Sequence, residues 1–537
     1  MIRRLAMAWA ALGALAWAVP ADGQTATDPR SLPDRSALGR IGLERAWFSA
    51  VPLQSGLEQL RHLSLTVDGT QIFAQTSAGL LYCYDAETGR MLWTASLGPA
   101  SGLAEDVAVN SNLAFAINGN FMHALDRQTG TAVWVERMEN NASSPVAATE
   151  DLVIVGLVSG KLLAFSLIPA EDERFQKQIG APGGFAWNFS TNGPITAEPI
   201  PTEKVVAFSS TGGKLYVSLI DPPRILHRSQ PLGELYASMG TYGTGPESLL
   251  IVPSRDRNLY GINLFTGEQK WIFPTGSPIS AQPLIGGGDV VVTRQVREDV
   301  PETYIGTDLR EYTRTVPRIR AEEETIPMPP TAYVLNDAGQ IFAVDPETGQ
   351  SRWNRPVPVP GTEREVVDPE TGRRQVVRQW VLDPETGRPA LTPLTISTGA
   401  DQILALSPTR IYLTTEYGDL AIVERETGDL IAGPADTLQR AGVNLRAYSL
   451  SNTNDVNDRI YLATPGGSIV CLREIGSATP VPIRAQSATP FGHLDDPNAP
   501  ATETPPGIPA PPGIDGQGDD ARANPPDFGF GSARVRP

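Results

Sequence analysis

Cysteine and histidine are nearly missing from this 537-residue sequence: there are two cysteines, Cys83 and Cys471, and four histidines, His62, His123, His227 and His493. So few thiols exclude a disulfide-built fold, so the core must come from apolar burial, and no His or Cys group has zinc-ligand spacing. Positive charge is also in deficit, with 43 Lys and Arg against 60 Asp and Glu and a net charge of -17. That balance repels nucleic acid and excludes it as a partner class. Long apolar runs are absent except at the N-terminus, where Arg3 and Arg4 precede "LAMAWAALGALAWAV" and small residues Ala21 and Gly23 follow. Residues 1–23 read as a secretory signal, which places the mature chain in the periplasm or outer cell envelope with no transmembrane span. No nucleophile elbow, phosphate loop or calcium loop is present.

What the sequence does have is a repeat. "YDAETGRMLW" (84–93), "LDRQTGTAVW" (125–134), "INLFTGEQKW" (262–271) and "VDPETGQSRW" (344–353) each set an Asp or Asn four residues before a Gly and a Trp four after it. A fifth copy, "VERETGDLIA" (423–432), keeps Thr427 and Gly428 but lacks the Trp. The Asp accepts a backbone N–H two residues on, Pro presets φ, and Gly takes the left-handed position, so the element is a turn that needs no metal. Ahead of each turn lies a hairpin of β-branched and aromatic residues. Counted by their return strands at Leu81, Met122, Leu162, Leu215, Leu259, Ile341, Leu420 and Ile469, eight units follow one another. Most are spaced by about 40 residues, the period of a four-stranded propeller blade. The expected fold is all-β: an eight-bladed propeller over 41–476, preceded by a linker at 24–40. "LERAWFSAVPL" (43–53) matches the outer strand of the first unit, placing Trp47 in the slot of Trp93 and closing the ring on the last blade.

This pattern resembles the PQQ-like repeat family, which contains quinoprotein alcohol dehydrogenases and the propeller subunit of the outer-membrane β-barrel assembly machinery. The resemblance implies that Trp47, Trp93, Trp134, Trp271 and Trp353 dock each blade against a neighbour, burying a large indole that needs one acceptor. It also supplies a test for a quinone, which the family's enzymes hold beneath adjacent cysteines and beside a calcium. This chain has no Cys-Cys pair, and the family's calcium ligands do not map onto it, so no cofactor and no metal are expected. Cys83 and Cys471 fall in a small apolar slot of their blades and read as free thiols. His123 stands where other blades carry Tyr82, Tyr216, Tyr260 and Phe342, which points to packing.

Two insertions break the regular pattern, at 296–330 and 357–393. The second repeats the pentapeptide at Asp368 and Asp383 and reads as a three-stranded meander carrying Arg373, Arg374, Arg378 and Trp380, a basic group on an acidic protein. These four residues are the candidate partner-docking surface. Residues 477–537 are rich in Pro, Ala, Gly and Asp and read as a disordered tail. The function that follows is an exported, monomeric, non-catalytic scaffold that binds protein partners in the envelope, with outer-membrane protein assembly as the specific form. The alternative is a quinone-dependent dehydrogenase or another enzyme with a loop-built site in the central funnel, since a propeller assembles sites from distant loops.

Overall fold

A computed structural model describes residues 32–54, 57–99, 104–168, 184–229, 232–305, 311–353, 399–485 and 489–494, with short strand segments between 357 and 393. Residues 1–31, which include the stretch read as a signal, and residues 495–537 lie outside the described residues. Eight four-stranded antiparallel sheets follow one another along the chain. Seven are built from consecutive strands, and the eighth is completed by Leu43–Ala50, which pairs with Ser468–Glu474. The ring is therefore an eight-bladed propeller closed by its N-terminal strand. No described helix is long and apolar enough to cross a membrane.

Burial explains the strand sequences. In blade 1 the second strand, Gln71–Thr76, is buried along its whole length, because the two neighbouring blades cover both of its faces. Its outer strand, Met91–Ser96, buries only Trp93 and Ala95 and alternates with exposed residues. The core is a series of interblade clusters. One joins Phe73, Leu81, Cys83 and Trp93 of blade 1 to Ala114, Ala116 and Leu125 of blade 2. Cys471 belongs to a different cluster, between blades 8 and 1, and both thiols are free and buried. Burial pushes the Cys83 thiol up to about 12 and raises that of Cys471 as well.

Two stretches depart from the sequence reading. Within the stretch read as linker, Arg35–Arg40 forms a short helix capped by the Asp34 carboxylate, and its Ala37 and Leu38 are buried between blades 7 and 8. Past the expected end of the ring, the described residues 477–485 and 489–494 still pack on it. Val481 and Ile483 are buried, and Phe491 packs on the cluster between blades 4 and 5. The first insertion is a continuation of two blade-6 strands, Leu284–Ile305 and Glu311–Leu335, in one unbroken antiparallel ladder past a bulge at Gly287.

Candidate functional site: interblade docking, the channel mouth and the insertions

The recurring turn behaves as an Asx turn. At blade 1 the Asp85 carboxylate accepts the Thr88 N–H at 2.8 Å and the Thr88 hydroxyl at 2.6 Å, while the Gly89 N–H donates to the Asp85 carbonyl. At blade 6 the Asp345 carboxylate accepts from the Glu347 and Thr348 N–H groups. The glycine takes the left-handed conformation, with φ of 68° at Gly89 and 71° at Gly349.

A second reason for that glycine comes from the preceding blade. The Trp47 ring lies on Gly89, where a Cβ would come within 2.3 Å of Cε3, and Trp93 lies on Gly130 with 2.4 Å to the same atom. Trp271 on Gly349 and Trp353 on Gly428 repeat the arrangement. Each indole N–H then donates to the carbonyl of the residue after the turn's first position: Trp47 to Ala86 at 3.0 Å, Trp93 to Arg127 at 2.9 Å, Trp271 to Pro346 at 3.1 Å and Trp353 to Arg425 at 3.3 Å. The pentapeptide is thus a receptor for its neighbour's tryptophan, and one turn both ends a hairpin and joins two blades.

Two occupants of this slot escape a search for Trp after Thr-Gly. His227 on the outer strand of blade 4 sits on Gly267 and donates from Nε2 to the Leu264 carbonyl at 2.8 Å, so that nitrogen carries the proton. The receptor turn "NLFTG" was legible in blade 5 and called for an occupant from blade 4. Trp187 of blade 3 stands opposite Ala164 in the register that sets Trp93 opposite Cys83. Its turn is replaced by a longer connection, which hides the spacing. The same replacement affects Trp134, which faces blade 3 half-buried and whose Nε1 has no acceptor among the described residues. Trp134→Phe should therefore leave thermal stability within about 0.5 kcal/mol of wild type or raise it, whereas Trp93→Phe should lose about 1 kcal/mol with its hydrogen bond. Equal losses in thermal melts of the two variants would show that the carbonyl acceptor does not matter. His123 is buried among packed residues, and burial lowers its pKa, favouring the neutral ring.

The innermost strands of the blades line the central channel, and several titratable groups reach it from different blades. His62 of blade 1 contacts Asp106 at 2.7 Å. Burial works against the charged imidazole, but the hydrogen bond and charge of Asp106, with Glu105, outweigh it and raise its pKa. Burial, together with the Asp106 and Asp455 carboxylates, pushes Glu198 up to about 8. Glu105 is pushed up to about 7 by burial, with Asp106 adding to it. Among the described residues no group of His, Cys, Asp and Glu is arranged to hold a metal ion.

Both glutamates keep protons in the fold that the unfolded chain, with the ordinary value of 4.5, has already released. Stability attributable to them falls as pH rises from 4.5 to about 8. His62 acts in the same direction, since its raised pKa favours folding most at low pH. Glu198→Gln should raise the melting temperature at about pH 8.5 and leave it unchanged at about pH 4, an effect on the order of 1 kcal/mol after solvent screening. A variant that melts like wild type at both values would remove the carboxylate crowding from the account.

A cavity of about 770 Å³ opens at the channel mouth, lined by Asp68, Tyr242, Asp455, Arg484 and Phe491 among others. The segment after the ring crosses this mouth as a strap. It begins at Ser477 and Val481, which bond Asp458 of blade 8. It then pairs Arg484 with Gly287 of blade 6 and ends with His493 beside Glu203 of blade 4 at 2.9 Å.

The second insertion contains two separate two-stranded ladders, 366–367 with 374–375 and 378–382 with 389–393, rather than one three-stranded meander. The backbone of Arg374 lies in the first ladder, and that of Arg378 and Trp380 in the second. Their side chains, and Arg373 entirely, lie outside the described residues.

Comparison with known proteins places these features in a family. The family described as outer membrane protein assembly factor BamB matches residues 10–217, 201–373 and 331–493 of this chain. The outer membrane protein assembly factor BamB of Burkholderia pseudomallei (strain K96243) is 22% identical over 281 residues, 49% of this chain and 68% of that protein. Among solved structures, the computationally designed Ika8 protein aligns with a TM-score of 0.46 at 10% identity, covering 78% of this chain and 97% of its own. BamB from Moraxella catarrhalis aligns with a TM-score of 0.38 at 13% identity, covering 77% of this chain and 85% of its own.

Proposed function

Because this chain belongs to the family of outer membrane protein assembly factor BamB, we propose that it is an exported, non-catalytic propeller scaffold that holds protein partners together in the cell envelope during outer-membrane protein assembly. The observation that carries this reading is the extent of the family match, which runs through every blade from residue 10 to residue 493. The chemistry of the ring supports it. The residues repeated from blade to blade are committed to docking blades together, so partner contacts fall to the parts that leave the repeat. The basic group Arg373, Arg374, Arg378 and Trp380 is one such part, suited to an acidic protein surface that carries aromatic side chains.

Photo-crosslinking from positions in 360–390 in intact cells, with adducts identified by mass spectrometry, tests the reading. Adducts with outer-membrane β-barrel proteins or their assembly machinery are the expected result. Adducts confined to soluble enzymes, or none at all, would count against it. The enzymatic alternative has its own assay: dye-linked alcohol oxidation after mixing the protein with PQQ and calcium should stay at background, and turnover would replace the scaffold with a dehydrogenase.

A further inference from the structure

The first insertion is an arm of two strands. From Gly288 to Ile305 one strand pairs with Glu311–Met328, and 18 residues at about 3.3 Å each make it roughly 60 Å long. A two-stranded ribbon of this kind is marginally stable alone in water, and among the described residues both of its edges lack a strand partner along this stretch. Its prolines treat the two edges differently. Pro301, Pro317 and Pro327 all fall on one parity of the ladder, opposite Thr315, Asp299 and Asp289. Proline has no N–H to give a partner strand, so this parity is the one whose backbone groups point outward. Gly287 has the same parity, and its N–H and C=O indeed bond outward, to Ile483 and Ala485 of the strap. On the Glu311–Met328 strand, two prolines interrupt the outer edge. On the other strand, Asp289–Val300 leaves twelve consecutive residues free of proline, rich in valine, on the edge that already accepts the strap.

That edge is self-complementary. When two copies are set antiparallel about a two-fold axis at Val296, Val292 registers with Val300 and Arg294 with Glu298, each pair occurring twice. Within one arm Arg294 is registered with Glu322, and Glu298 with Arg318. Each row across four strands then alternates in sign: Glu322, Arg294, then Glu298 and Arg318 of the second copy. Moving the axis to Arg294 or Glu298 faces like charges, which is destabilising. The lengths agree as well, because Val296 lies eight residues from the base at Gly288 and nine from Ile305. Each arm would therefore reach the base of the other, with the propellers at opposite ends.

We infer that two copies of this chain associate through antiparallel pairing of their Asp289–Val300 edges, centred on Val296, to form a four-stranded isologous bridge. This differs from the monomer expected from the sequence and does not depend on the proposed assembly role. The test uses the purified chain with Val292→Cys, Val296→Cys and Val300→Cys introduced singly; the native thiols are buried. At the axis the backbones approach to about 4.5 Å, within disulfide reach. Two Val292 positions stand about 26 Å apart at ~3.3 Å per residue. Under mild oxidation V296C alone should give a covalent dimer. V292C and V300C should cross-link only when mixed with each other. Gln295→Pro removes an outward N–H without touching the arm's own ladder, and should weaken association of the uncross-linked protein by at least about tenfold. A single-chain mass for the wild type in sedimentation overturns the inference, as does equal cross-linking at all three positions. Cross-linking of V296C in cells to a strand of another protein, with no dimer, also overturns it and assigns the edge to a different occupant.

Discussion

Replacing Arg459 by alanine should cost about 3–5 kcal/mol, because it strands a buried carboxylate without its counter-charge. Arg459 and Asp458 are each 1% exposed and lie together in blade 8, where the ring closes. The guanidinium donates to Asp458 at 3.0 Å, to the Ser477 hydroxyl at 3.0 Å and to the Ser477 carbonyl at 3.1 Å. Asp458 in turn accepts the Val481 N–H at 2.9 Å. One ion pair therefore joins the closing blade to the start of the strap. Arg459→Lys keeps the charge but not the planar fork, and should fall between the alanine variant and wild type. Replacing both residues with apolar ones of similar volume should cost far less than the single change, since no charge is then left alone in the interior. Denaturant midpoints for the four proteins check this, and an unchanged midpoint for Arg459→Ala would mean that the closure does not rely on the pair.

Trp93→Ala should lower stability by about 3–5 kcal/mol, as expected for emptying a large aromatic site that its surroundings refill only partly. The ring is 7% exposed, lies 5.7 Å from the Phe73 ring and donates its N–H to Arg127 of blade 2. Gly130→Ala attacks the same contact from the receptor side, where a Cβ would come within 2.4 Å of the indole at a φ of 71°. With the indole gone the clash disappears, and only the backbone strain of a non-glycine residue remains. The double variant should accordingly cost less than the sum of the single ones, which calorimetry of the three proteins can measure. Strict additivity would separate the two residues and refute their direct contact.

Much of the propeller was legible because its signal repeats. Each blade buries both faces of its middle strands, so apolar runs return at the blade period, and the Asp-to-Gly-to-Trp spacing marks where one blade ends and the next is gripped. The closing strand was legible for the same reason, since Trp47 copies the slot of Trp93. What was hidden is what occupies a conserved geometry with a different residue type. His227 fills the tryptophan slot with an imidazole, and Trp187 reaches it after a lengthened turn. Arg459 and Asp458 stand outside the repeat, and sequence does not show that they are buried against each other and the strap. The strap itself resembled its Pro-rich continuation, although Val481, Ile483 and Phe491 give it enough apolar surface to pack. Glu198, Asp106 and Asp455 come from loops of three blades and meet only once the ring is closed.

If this propeller serves the assembly of outer-membrane proteins, as proposed, depleting the chain in its own cells should disturb that assembly. The abundance of β-barrel proteins in purified outer membranes, measured by quantitative mass spectrometry before and after depletion, should fall across several of them and recover on re-expression. Unchanged β-barrel abundance, with the chain gone and other envelope proteins altered instead, would contradict the account.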